Sequence, residues 1–153
     1  RLAEQGKLLT HQKDTAVLTL MNLESVLERD FEVVSPDMTL GEMVSVISVS
    51  HRNSFPVVDE RGVLVGIVEL DNVRNIMFRP ELYDRYKVRK IMVTPEVKVS
   101  SATPMTEVMR LFDETKAWKM PVVDEEGRYL GFISKSAIFN SYREVLNCTF
   151  IGD

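Results

Sequence analysis

Cysteine, tryptophan and histidine are scarce in this 153-residue chain, with one Cys, one Trp and two His, and each scarcity removes a class of function. Cys148 has no partner for an internal disulfide, which fits a reducing compartment, and no half of the chain shows the paired Cys or His spacing of a zinc site. It reads as a half-buried thiol near the C-terminus. His11 and His51 have no acidic or thiol partner at ligand spacing, so both are expected on the solvated surface. The chain also lacks a Gly-x-Ser-x-Gly elbow, a Gly-x-x-x-x-Gly-Lys-Ser/Thr loop and a Gly-x-Gly-x-x-Gly fingerprint, which leaves an enzyme without a candidate nucleophile or base. Uncharged stretches such as Thr15 to Leu23 and Met43 to Ser50 fall short of the ~18 apolar residues of a membrane-spanning helix. Charge of one sign is missing too: 19 basic and 23 acidic residues are interspersed, the net charge is -4, and no basic stripe invites nucleic acid.

What is present is an ordinary globular composition, 44% hydrophobic and 27% charged. A chain of this length hides roughly 70% of its unfolded surface, so it forms one domain or two small ones sharing a core. An internal repeat decides between these. At an offset of 65 residues Phe55-Pro56-Val57-Val58-Asp59-Glu60-Arg61-Gly62 returns as Met120-Pro121-Val122-Val123-Asp124-Glu125-Glu126-Gly127, and Gly66-Ile67-Val68 returns as Gly131-Phe132-Ile133 without a gap. Val34-Ser35 meets Val99-Ser100, and Glu42 meets Glu107. Two structural copies follow, over 18–78 and 84–146.

Each copy reads β-α-β-β-α. Leu40, Met43, Val44 and Ile47 trace one helical face, matched by Met105, Val108, Met109 and Phe112. Thr39 with Glu42 forms a capping box, and Pro104 after Thr103 marks the first turn of the second helix. Short strands are expected at Glu32 to Val34 and Val97 to Val99. Hairpins follow, from Phe55–Val58 to Val63–Val68 and from Met120–Val123 to Tyr129–Ile133, with Gly62 and Gly127 supplying positive φ at the turns. Closing helices are expected over Asn72 to Phe78 and Ala137 to Leu146. The strands are apolar on both faces, so the copies should pack sheet to sheet about a pseudo-twofold axis in one α+β module. The methionines at helical-face positions, Met43, Met105 and Met109, read as core.

Two copies of β-α-β-β-α, each with a Pro-Val-Val-Asp strand, an Asp-Glu-x-Gly turn and a Gly-hydrophobic-hydrophobic strand, resemble the tandem CBS module. The flanking segments, residues 1–10, 75–83 and 134–143, are similar to the cytosolic C-terminal region of bacterial CLC-type chloride channels and transporters. That resemblance implies that 1–17 links to an upstream membrane domain, that 79–83 joins the repeats, and that 147–153 is a tail. It is consistent with a chain beginning at Arg1 without an initiator Met or targeting motif. It further implies a homodimer at the cytoplasmic face of the bacterial inner membrane, acting on the membrane-spanning chloride-transport domain of the same chain, with no nucleic-acid partner.

The resemblance also implies clefts between the copies that take adenine nucleotides. The family signature is Gly-hydrophobic-hydrophobic-Thr/Ser-x-x-Asp, with the hydroxyl toward phosphate and the carboxylate toward ribose. Here Gly66-Ile67-Val68 is followed by Glu69 and Asn72, and Gly131-Phe132-Ile133 by Ser134 and Ala137, so neither copy is complete. Loss of a charged hydrogen bond of roughly 1.5–3 kcal/mol weakens binding tenfold to a hundredfold or more. Glu69 repels phosphate, whereas Ser134 with Lys135 nearby suits an anion. The cleft residues so implied are Ser134, Asn72, Lys119, Met120, Pro121, Phe55 and Pro56, for weak binding of ATP, ADP or AMP with no required cofactor. Trp118, just before the second Pro-Val-Val-Asp strand, reads equally as an adenine-stacking ring or an interface aromatic. Residues 81–90, rich in charge and aromatics, read as a solvated connection or as a contact with a membrane domain or second subunit. The rival assignment is an adenine-nucleotide-sensing module that serves another protein.

Overall fold

The computed structural model describes residues 15–147. A first helix, α1, is described over residues 15–19, and a 3-10 turn follows at Leu23–Val26. The first copy then runs α2 (Leu40–Val49), β1 (Ser54–Val58), β2 (Leu64–Glu69) and α3 (Leu70–Val73). The second runs α4 (Val88–Ile91), β3 (Val99–Ser100), α5 (Met105–Thr115), β4 (Lys119–Val123), β5 (Tyr129–Ser134) and α6 (Lys135–Leu146). Among the described residues no helix is long and apolar enough to cross a membrane.

The expected hairpins form, with Gly62 and Gly127 at φ 86° and 84°, a region that costs glycine nothing. Their registers are equivalent, Pro56 facing Ile67 and Pro121 facing Phe132, each with an irregularity one residue before the turn. Helix α2 begins with the expected capping box: Thr39 accepts from the Glu42 backbone N–H, and the Glu42 carboxylate accepts from that of Thr39. Its counterpart differs. Pro104 is the cap residue itself and not the first helical residue, because Thr103 already spends its hydroxyl on the Ser100 backbone N–H.

Two further expectations change length. The strand expected at Glu32 to Val34 is a single parallel bridge, Val34 to Val57, because the chain turns at once through Ser35 and Met38. Its equivalent, Val99 facing Val122, extends by one residue into β3. The helix expected over Asn72 to Phe78 begins earlier and closes after one turn at Val73, then continues as turns. Asn72 and Asn75 are poor helix formers, and Glu69 gives the first turn no side-chain cap.

The two copies exchange their leading segments. Leu23 and Val26 are buried in the core of the second copy with Val108, Phe112, Val122 and Ile133, while their 65-residue equivalent, Val88, lies in the core of the first with Met43, Phe55 and Val68. The backbone repeats the exchange: Glu28 bridges Phe132, and Val93 bridges Ile67. Both turns also meet across the axis, where the Leu64 N–H donates to Gly127 O and the Tyr129 N–H to Gly62 O. Each crossing needs a glycine beneath it. A Cβ on Gly131 would stand 2.6 Å from Glu28 O, and one on Gly66 2.6 Å from Met92 Sδ.

Between the sheets Phe31, Ile67 and Phe132 form a third cluster, the two rings 4.4 Å apart, with Tyr129 edge-on to Phe132. Among the described residues the Tyr129 hydroxyl has no partner in this buried position, and burial pushes the phenol up to about 12. Residues 81–90 fold back on the first copy: the Tyr83 hydroxyl donates to Met77 O, Leu40 N–H to Tyr86 O, and Arg89 pairs with Asp37 at 2.7 Å.

Candidate functional site

The exchange places two equivalent clefts where β1–β2 and β4–β5 end. At these ends Ser54 stands opposite Glu69, and Lys119 opposite Ser134. The backbone is alike in both, since Leu70 N–H donates to Asn53 O and Lys135 N–H to Trp118 O. The side chains are not.

In the first cleft the buried Ser54 hydroxyl donates to Glu69 Oε1 at 2.6 Å, which holds a carboxylate at the mouth. Glu96 adds a second acid, and the cavity is about 160 Å3. Glu69 precedes a helix of four residues and gives it no side-chain cap.

In the second cleft Ser134 caps the twelve-residue α6, its hydroxyl accepting from the Ala137 backbone N–H at 3.1 Å, with Ser136 Oγ 3.3 Å away. The cavity is about 470 Å3, within the 300–1,000 Å3 common for small-molecule sites. Its walls combine Phe31, Trp118 and Phe139 with Arg52, Lys119 and Lys135, and Glu28 is the acid among them. Each cation lies over a ring. The Arg52 guanidinium carbon is 4.0 Å from the Phe31 centroid, Lys119 Nζ is 5.7 Å from the same ring, and Lys135 Nζ is 5.6 Å from that of Trp118. Arg52 also donates through Nε to Asp30 O at 2.7 Å, which fixes its direction. Trp118 is 80% exposed, a large apolar surface left in water beside this charge.

Of the residues expected from the sequence, Ser134 and Lys119 meet in this second cleft. Met120 and Pro121 line the first, together with Lys119, which borders both. Phe55 and Pro56 are buried in β1, Phe55 within the core of the first copy. Asn72 is exposed on α3 and borders neither cleft. Arg52 and Phe31 were not expected. Arg52 precedes β1 as Ala117 precedes β4, so the place just before a Pro-Val-Val-Asp strand, which drew attention to Trp118, also points to it, but across the pseudo-twofold axis. Phe31 aligns with Glu96 and carries no repeat signal. His51 is exposed, no cluster of metal-ligating side chains occurs among the described residues, and His11 and Cys148 lie outside them.

Comparison with known proteins gives the family. The CBS domain family matches residues 23–79 and 88–144. Inosine-5'-monophosphate dehydrogenase of Methanocaldococcus jannaschii is 29% identical over 118 residues, covering 77% of this chain and 23% of that enzyme; the chain thus spans about a quarter of its length. The chloroplastic CBS domain-containing protein CBSX1 of Arabidopsis thaliana is 27% identical, covering 82% of this chain and 64% of that protein. Among solved structures, CbpB in complex with c-di-AMP superposes with a TM-score of 0.75 at 14% identity, over 93% of this chain and 97% of that one. CBSX2 in complex with AMP gives 0.65 at 21%, over 81% and 97%. The cytosolic domain of the Mg2+ channel MgtE in complex with ATP gives 0.65 at 26% identity, over 78% of this chain and 48% of that one. With both copies matched and their sheets joined across one axis, the chain belongs to the CBS domain family, as a tandem pair of repeats folded into one regulatory module.

Proposed function

We propose that the module senses an adenine nucleotide held in the cleft at Ser134. The observation that carries this reading is an excess of positive charge, from Arg52, Lys119 and Lys135 against Glu28 in the wall and the exposed Asp30 beside Arg52, in a roomy aromatic cleft of a chain whose net charge is -4. The start of α6 adds the positive end of a helix dipole. The exposed rings of Trp118 and Phe139 offer faces for a base. The ATP complex of the MgtE cytosolic domain supports the choice of ligand. Ala137 leaves the ribose without a carboxylate, so the expected affinity is modest. Ser134 and Lys119 carry the site; the cleft at Met120 and Pro121, with Glu69 and Glu96, is the poorer one. Regulation follows if the ligand prefers one arrangement of the two copies, because both contribute to the cleft. Thermal melting with ATP, ADP and AMP tests the reading. A ligand at 100 times its dissociation constant stabilises by about 2.7 kcal/mol, so a rise of several degrees is expected. No shift at millimolar nucleotide overturns it.

We further propose that the parent protein is a CLC-type chloride channel or transporter, with the module as a homodimer at the cytoplasmic face of the bacterial inner membrane. The support is the resemblance of the flanking segments. The Mg2+ channel among the structural relatives supports a transport setting, whereas the dehydrogenase relatives support the rival, a nucleotide sensor serving a different kind of protein. The residues upstream of Arg1 decide between them, and an upstream region without membrane spans ends the chloride assignment. Light scattering tests the dimer, which fails if the chain is monomeric at high concentration.

A further inference from the structure

We infer that the Ser134 cleft selects its ligand by phosphate charge, preferring a nucleoside di- or triphosphate to a monophosphate, with Arg52, Lys119 and Lys135 setting the preference. This rests on the nucleotide reading above and narrows it to one ligand class. Arg52 and Lys119 both stand over the Phe31 ring, at 4.0 and 5.7 Å from its centroid. Lys135 stands on the neighbouring wall over Trp118.

Their charges are only partly neutralised. Among the described residues Lys119 and Lys135 form no ion pair, and Arg52 pairs with Asp30 alone, at a long 3.9 Å and with the Asp30 side chain fully exposed. Glu28 is the single carboxylate in the cleft wall. Three cations against two acids, Glu28 and the exposed Asp30, keep a net positive charge, which the ring faces beneath them offset only in part. A monophosphate dianion relieves one or two of them. A chain of two or three phosphates spreads enough charge to meet all three, and it bridges the copies, because Arg52 comes from the first and the two lysines from the second. The other cleft opposes the same ligand, with Lys119 facing Glu69 and Glu96 in about 160 Å3, so one polyphosphate per chain is the expected stoichiometry.

Calorimetry on the whole chain in magnesium-free buffer, with ATP, ADP, AMP and inorganic tripolyphosphate, tests the inference. ATP is expected to bind at least tenfold tighter than AMP, with ADP between, one site per chain, and tripolyphosphate competing with ATP; all of this weakens as salt rises. R52Q and K135Q each lower ATP affinity about tenfold and leave AMP within threefold, whereas R52K, which keeps the charge, keeps the ratio. Melting temperatures confirm that the variants fold. AMP binding as tightly as ATP overturns charge selection and leaves the nucleotide reading standing, as does an unchanged ratio in the R52Q/K135Q double variant. Tripolyphosphate binding without any nucleotide binding does the reverse. Binding of neither overturns both.

Discussion

The first copy's hairpin ends in Ser54 opposite Glu69 and the second's in Lys119 opposite Ser134, positions that the 65-residue repeat makes equivalent. The backbones agree hydrogen bond for hydrogen bond, yet one end presents a carboxylate held by a serine and the other an ammonium beside a helix-capping hydroxyl. The helices diverge with them, four residues after Glu69 against twelve after Ser134. Packing kept the two copies alike, because both bury the same strand faces. Nothing in that packing fixes the residue at the strand end, so chemistry separated there.

The largest expected difference between the copies is steric. Gly131→Ala drives a Cβ to 2.6 Å from a backbone oxygen, which has no room to yield, whereas in Gly66→Ala the atom met is the sulfur of a flexible methionine. Denaturant unfolding should show a loss of about 3 kcal/mol for the former and about 1 kcal/mol for the latter. Equal losses would mean that the two crossings are equally soft. Lys119→Glu gives the second cleft the acidity of the first and should lower ATP affinity by about tenfold to a hundredfold in calorimetry. The reciprocal change, Glu69→Ser, should create no second site, because the first cleft stays near 160 Å3.

A smaller contrast lies in the helix starts. Thr39→Ala removes the capping box of α2 and should cost about 1 kcal/mol, while Thr103→Ala, before a helix with no side-chain cap, should cost less. The smallest concerns acid. The Arg128 backbone N–H donates to Asp124 Oδ1 at 2.8 Å and, with the Arg128 guanidinium, holds the Asp124 carboxyl below the usual carboxylate range. A carboxyl depressed in the folded state adds stability above its unfolded value of about 4 and loses it as pH falls through the lower folded value. Acid unfolding of Asp124→Asn should therefore be shallower below about pH 4. An unchanged acid limb would show that the turn contributes nothing.

Much of the fold was legible because its signals are local. Leu40, Met43 and Ile47 mark a buried helical face, Gly62 and Gly127 mark turns, and Thr39 with Glu42 marks a start, each within a few residues. The lengths of the elements were less so. The closing helix of the first copy stops at Val73, with no side-chain cap at Glu69 and with the poor helix formers Asn72 and Asn75, differences from the second copy that a repeat-based reading averages away. In the cleft, Ser134 and Lys119 came from the resemblance to the tandem CBS module. Arg52 and Phe31 belong to the opposite copy and reach the cleft only because the leading segments cross over. Phe55 was expected in the cleft from the same resemblance, but its side chain falls in the core.

The sequence by itself determined that there are two copies, their order of elements and their turns, since period, caps and glycines act over a few residues. The tertiary structure alone decided that Leu23 and Val26 belong to the second copy's core and Val88 to the first's, and therefore that the cleft is shared. It also decided which charges meet, Arg52 with Lys119 and Lys135, across a seam that no local pattern records. The reason is physical: secondary structure answers to neighbours along the chain, whereas a cleft between symmetric halves answers to contacts that only exchange and burial bring together.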